Sequence, residues 1–141
     1  EEINEEFERC RSSSLALLYV DLDDLKLYNM LNGARKGDEV LCRVAEILTH
    51  TAGENGKVFR YSGKVFAVLL PGYDMRRTEE LARGIQKKIH ELNDGTSPQP
   101  LSASCGICVA PYAASNAKEL MNNADLAVYN AKQGGKDYQY F

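Results

Sequence analysis

The sequence predicts an α/β (α+β) fold: a central mixed five-stranded sheet with an antiparallel hairpin, flanked by helices, in the order βααββαβαβ. Three features point to it. Short apolar runs of strand length alternate with longer segments whose apolar residues recur at helical spacing. Two of those runs, 57–61 and 65–70, are separated by little more than Ser62-Gly63, which reads as a two-residue hairpin turn. The length of 141 residues suits one domain able to bury a real core, with no internal repeat and no low-complexity tract.

Taken in order, residues 3–12 read as a short polar helix. Residues 14–20 are a mostly apolar run, short enough for a buried strand, ending in Asp21-Leu22-Asp23-Asp24. Asp23 or Asp24 is expected to cap a helix over 25–31, and Asn32-Gly33 to close it. A second helix is expected over 36–51, with Val40, Leu41, Val44, Ala45 and Leu48 as its inward stripe. A turn at 52–56 leads into the hairpin strands, and a long amphipathic helix covers 75–92. After a loop at 93–100 come a strand at 101–110, a helix at 117–133 stopped by Gly134-Gly135, and a last strand at 138–141. Residues 1–13 are a helical lead-in and 14–141 the domain proper. The chain opens directly in a polar segment, as expected of a piece cut from a larger multidomain protein.

The formal net charge of −3 offers no basic field for nucleic acid or anionic lipid. No apolar run approaches the ~20 residues that span a bilayer. The start, Glu1-Glu2-Ile3-Asn4-Glu5-Glu6, is acidic where a secretory leader is basic. Cys105-Gly106-Ile107-Cys108 has the spacing of redox and zinc motifs, but residues three apart on a strand point to opposite faces. No second such pair exists, and His50 and His90 fall on separate helical segments. Four reduced thiols (Cys10, Cys42, Cys105, Cys108) in a cytoplasmic setting are therefore expected.

Asp21 and Asp23 lie two apart at the end of a strand, so their side chains share a face. Carboxylates at the carboxyl edge of a sheet make a hard-oxygen site for Mg²⁺; capping and solvation are the alternative, and spacing alone favours them. Gly63-Lys64 does not make a phosphate-binding P-loop. The preceding glycine, Gly56, is too far upstream, and Val65 is not Ser or Thr.

Four motifs in order carry a resemblance that covers about residues 14–141. Asp21-Leu22-Asp23-Asp24-Leu25-Lys26 is similar to Asp-x-Asp-x-Phe-Lys. Asn29 and the run Asn32-Gly33 to Gly37-Asp38 are similar to a following Asn-Asp, Gly-His and Gly-Asp pattern. Ser62-Gly63-Lys64-Val65-Phe66 aligns without a gap with Gly-Gly-Asp/Glu-Glu-Phe. Ala124-Asp125-Leu126-Ala127-Val128-Tyr129-Asn130-Ala131-Lys132 to Lys136 closely resembles Ala-Asp-x-Ala-Leu-Tyr-x-Ala-Lys-x-x-Gly-Arg. These are the motifs of GGDEF (diguanylate cyclase) domains, and the resemblance implies their palm-like, nucleotide-cyclase fold.

The resemblance also implies roles. Asp21 and the backbone carbonyl of Leu22 fall at the metal-ligand positions. Asn29 and Asp38 fall at the positions that read guanine, and Lys132 and Lys136 at those that hold the triphosphate. The departures are as informative. Lys64 and Val65 replace the two acidic residues of the turn, which in the family bind metal and help polarise the attacking hydroxyl. Ser62 replaces Gly, Met30 replaces Asp, Ala34 replaces His and Leu25 replaces Phe. Gly53 and Gly56 occupy the positions of the product-inhibition Arg-x-x-Asp, so no inhibitory site is expected.

The implied reading is a degenerate GGDEF domain with no catalytic residues, acting as a regulatory GTP-binding module in cyclic di-GMP signalling. Mg²⁺ is the implied cofactor, disfavoured by Lys64 beside Asp21. Two alternatives stand beside it: a ligand-free interaction or dimerisation scaffold, and a weakly active cyclase or nucleotide hydrolase using Asp21. Implied partners are neighbouring sensory or phosphodiesterase domains and a second copy in a homodimer, with no nucleic acid. The implied location is cytoplasmic, including the cytoplasmic part of a membrane-anchored protein.

Overall fold

The first apolar run forms the central strand, and every one of its residues is buried. The structure, a computed structural model, describes residues 3–5, 14–93, 95, 97, 98, 100–134 and 138–140. Its elements follow the expected order: β1 (Leu15–Leu22), α1 (Leu25–Asn32), α2 (Ala34–Ala52), β2 (Lys57–Arg60), β3 (Val65–Pro71), α3 (Met75–His90), β4 (Ala103–Ala110), α4 (Ala117–Gly134) and β5 (Tyr138–Tyr140). Residues 3–5 are helical. The rest of the expected lead-in helix, Gly135 and Phe141 lie outside the described residues.

The sheet order is β2-β3-β1-β4-β5. β1 pairs antiparallel with both β3 and β4, β2 and β3 form the antiparallel hairpin, and β4 pairs parallel with β5. Alternation along β1 divides the core. Ala16, Leu18, Val20 and Leu22 pack with apolar residues of α1, α2 and α3; Leu15, Leu17 and Tyr19 pack with those of α4 on the other face. Each fully buried leucine of this strand contributes roughly 1.5–3 kcal/mol relative to exposure. Cys105 belongs to the first core and Cys108 to the second, as strand geometry requires. α4 lies directly on β4 at Gly106, where a Cβ would overlap the α4 backbone at Ala124 and Val128.

Three local expectations are corrected. The hairpin connection is four residues, Tyr61 to Lys64, and not a two-residue turn. Neither Ser62 nor Gly63 has the positive φ that a tight hairpin turn needs, and the Arg60 guanidinium donates to the carbonyls of both. Neither Asp23 nor Asp24 caps α1 with its side chain. Asp24 holds the N-cap position with φ 50° and no side-chain bond, while Asp23 turns to another strand. β4 begins at Ala103 and not at Leu101. The Asn93 side chain accepts from Leu101 N at 2.7 Å and donates to Leu101 O at 2.9 Å, satisfying the backbone groups a strand partner would take.

Candidate functional site

Strand register assembles the site. Asp21 pairs with Val65 on one side and Ser104 on the other. The first pairing brings Lys64 beside Asp21, and the Leu22 N–H donates to Lys64 O at 3.0 Å, tying the hairpin tip to the central strand. The second brings Ser102 and Ser104 under Asp23. Above them, the last turn of α4 supplies Lys132.

Asp23 is fully engaged. It accepts from Lys132 Nζ at 2.7 Å, Ser104 Oγ at 2.7 Å and Ser102 Oγ at 2.9 Å. Asp21 is not. It is only 7% exposed, and its Oδ1 accepts no hydrogen bond; Lys132 Nζ stands 3.6 Å away and Lys64 Nζ 3.8 Å. Neighbouring carboxylates thus titrate in opposite directions. Burial raises the Asp21 pKa, and the charges of Lys132 and Lys64 only partly oppose it. Burial also acts upward on Asp23, but the bonds from Lys132, Ser104 and Ser102 together outweigh it and hold its pKa down. Burial likewise opposes the charge on Lys132, and the Asp23 bond and both carboxylates more than restore it, so its pKa is raised.

Asp23, Lys132, Ser102 and Ser104 border an open cleft of about 1020 Å³, lined also by Lys26, Leu27, Met30 and Lys64; Asp21 is not part of its lining. The Tyr61 ring stacks on Tyr19 behind the hairpin tip, centroids 5.0 Å apart.

Of the residues singled out from sequence, Asp21, Lys64 and Lys132 come together, with the Leu22 backbone beside them. Val65 starts β3 and packs against the α4-side core. Asn29 does not line the cleft. Its Oδ1 is buried without a hydrogen bond, and the same atom would collide with a Cβ at Gly37. Asp38, the next residue of α2, is exposed and lines a separate pocket with Arg35, Glu39, Cys42 and Arg43. Met30 is exposed at the cleft. Gly53 follows α2 with φ 75°, and Gly56 sits against the Ala52 carbonyl. Lys136 lies outside the described residues. Ser102 and Ser104 were missed from sequence. Their spacing of two at a strand start was the available signal, but only the β1–β4 register shows that it faces Asp23. Among the described residues, no group of three or more His, Cys, Asp or Glu side chains is placed to hold a metal.

A family model described as diguanylate cyclase, GGDEF domain, matches residues 1–138. The chain belongs to the GGDEF domain family. Curated relatives agree with the match. Diguanylate cyclase DgcM of Escherichia coli is 34% identical over 123 residues, covering 86% of this chain and 29% of that protein. The bifunctional diguanylate cyclase/cyclic di-GMP phosphodiesterase MucR of Pseudomonas aeruginosa is 33% identical over 128 residues, covering 89% and 19%. The chain thus spans less than a third of these relatives' lengths. The active GGEEF domain of a diguanylate cyclase from Vibrio cholerae has a TM-score of 0.90 at 22% identity, covering 99% of this chain and 92% of that one; this likeness speaks for the GGDEF fold. The GGDEF domain of PA1120 from Pseudomonas aeruginosa has a TM-score of 0.88 at 27% identity, covering 99% and 90%. No helix among the described residues is long and apolar enough to cross a membrane.

Proposed function

We propose that this GGDEF domain is a regulatory module that binds GTP in the cleft beside Lys64 and Lys132 and makes no cyclic di-GMP. One observation carries the reading: the Asp21 carboxylate lies between two ammonium groups, at 3.6 Å and 3.8 Å. Phosphodiester synthesis on a triphosphate needs divalent metal to shield phosphate charge and activate the hydroxyl. Mg²⁺ seeks carboxylate oxygens in octahedral geometry. Here Asp23 is spent on Lys132 and two serines, and Asp21 faces Lys132 and Lys64. The residues present do not suit the ion.

In this reading Lys132, from its seat on Asp23, and Lys136 add charge toward phosphate, while Asn29 and Asp38, outside the cleft's lining, read the base from the α1–α2 side. The Asn29 Oδ1 is buried against Gly37 and unpartnered, at a cost of about 1–3 kcal/mol, so reading a base requires this side chain to turn outward and gain a bond. The domain then passes nucleotide occupancy to neighbouring sensory or phosphodiesterase domains of a longer chain, alone or as a homodimer.

The test is a thermal unfolding series with GTP, ATP or no nucleotide, joined to chromatographic analysis of products after long incubation. Stabilisation by GTP that is lost in Asn29→Ala or Asp38→Ala, with no cyclic dinucleotide formed, is the expected result. Cyclic di-GMP made by the pure chain refutes the reading. A second reading, a ligand-free interaction scaffold, draws on the exposed apolar residues Leu27, Met30 and Leu31 of α1. It predicts no nucleotide shift at all.

A further inference from the structure

We propose that the cleft takes the polyphosphate of a nucleotide without a divalent cation, the Lys64 ammonium supplying the positive charge that a metal would otherwise bring. This deepens the GTP-binding reading and rests on it.

The position of Lys64 is fixed and its side chain is not. Its carbonyl accepts from Leu22 N at 3.0 Å, so the backbone is held to the central strand, while the side chain stays 51% exposed. The ammonium reaches Asp21 only at 3.8 Å, beyond a hydrogen bond, which leaves its donors available to an incoming oxygen anion. Lysine binds phosphate as a point charge and needs no fixed fork of donors, so this swing costs it little specificity.

Lys26, Lys64 and Lys132 line the cleft with Asp23 and Asp24, and Asp21 beside Lys64 and Lys132 brings the formal balance to zero; Lys64 stands 3.8 Å from its carboxylate, without the short bond that Lys132 makes. The open end of α1 adds N–H donors. Asp24 makes no side-chain cap bond, and Leu25, Lys26 and Leu27, whose N–H groups begin the helix, line the same cleft. Asp21 explains why a metal would not help. A cation drawn to its unpartnered oxygen would stand against both lysines, and a phosphate chain already paired with those lysines gains nothing from displacing them.

The experiment is calorimetric titration of the chain with GTP and with inorganic triphosphate, in EDTA and then in excess Mg²⁺. Both should bind in EDTA, and Mg²⁺ should leave the affinity unchanged or weaken it. Lys64→Gln should lose about tenfold in EDTA, the scale of one charge-assisted contact, and Lys64→Arg should retain binding. Circular dichroism of each variant confirms folding, and the EDTA–Mg²⁺ comparison on the parent chain needs no variant. Binding that requires Mg²⁺ overturns this inference and leaves the GTP reading standing, as does parental affinity in Lys64→Gln. Absence of binding in both buffers overturns the two together.

Discussion

Lys132 Nζ donates to Asp23 Oδ1 at 2.7 Å, a bond between residues 109 apart in the chain. The lysine that the family motif would turn toward phosphate is thus already seated on a carboxylate. Asp23 in turn is held by Ser102 and Ser104, so the pair forms a bonded floor beside the half-exposed charge of Lys64.

Asp21 and Asp23 should therefore respond oppositely to neutralisation. Asp23→Asn keeps one accepting oxygen but removes the charge and the second acceptor, and is expected to lower stability at pH 7 by about 1–3 kcal/mol. Asp21→Asn removes a buried charge whose pKa burial raises, and is expected to raise stability. Urea unfolding of both variants reads the two signs; equal losses would contradict the assignment. The pH dependence follows the same logic. With its folded pKa depressed, Asp23 contributes stability present above the ordinary carboxylate value of 3.8 and lost as pH falls through the folded value. With its folded pKa raised, Asp21 contributes stability present below 3.8 and lost as pH rises through its folded value.

Reverting the turn with Lys64→Asp and Val65→Glu should give the chain a Mg²⁺ response that the parent lacks. At a hundredfold excess of Mg²⁺ over its dissociation constant, the stabilisation is about 2.7 kcal/mol, several degrees in Tm for a domain of this size. Thermal scans with and without Mg²⁺ measure it. A flat response would place the obstacle at Lys132 or at the serines, beyond the turn.

Gly106→Val should be among the most damaging single changes. The new side chain meets α4 backbone at Ala124 and Val128, which cannot rotate away. The expected loss is about 1–3 kcal/mol or more, by denaturant titration.

The Tyr19–Tyr61 stack should register as a coupling. A double-mutant cycle with Tyr19→Leu and Tyr61→Ala is expected to give about 0.5–1.5 kcal/mol, the usual range for an aromatic pair. Additive losses would mean that Tyr61 merely covers the strand.

Thiol labelling should separate the cysteines. Cys42 is exposed and should react in the native protein. Cys105 and Cys108 are buried on opposite faces, and burial pushes the Cys108 thiol up to about 11, so both should label only on unfolding. Peptide mapping by mass distinguishes them.

The order of elements was legible because apolar spacing is a local signal. Val40, Leu41, Val44 and Leu48 are buried along one side of α2, and the run from Leu15 became the central strand. The proximity of Lys64 to Asp21 was legible too, through the motif alignment. What escaped the sequence depended on contacts far apart in the chain. Asp23 looked like a helix cap because nothing local reveals two serines some eighty residues later. The turn looked like a two-residue hairpin because the Arg60 guanidinium, which stabilises the longer loop, leaves no periodic trace.

Asn93 shows how a single side chain can set the first residue of a strand. Its amide acts as a surrogate strand, occupying Leu101 so that pairing with β1 starts two residues late. One step beyond the last pair, Leu22 with Ala103, the Asp23 N–H still donates to Ser102 O at 2.9 Å, so the strand ends stay tied. A side chain outside the cleft thus decides where the strand starts, and removing that amide would strip two partners from Leu101 while leaving every charge of the cleft in place.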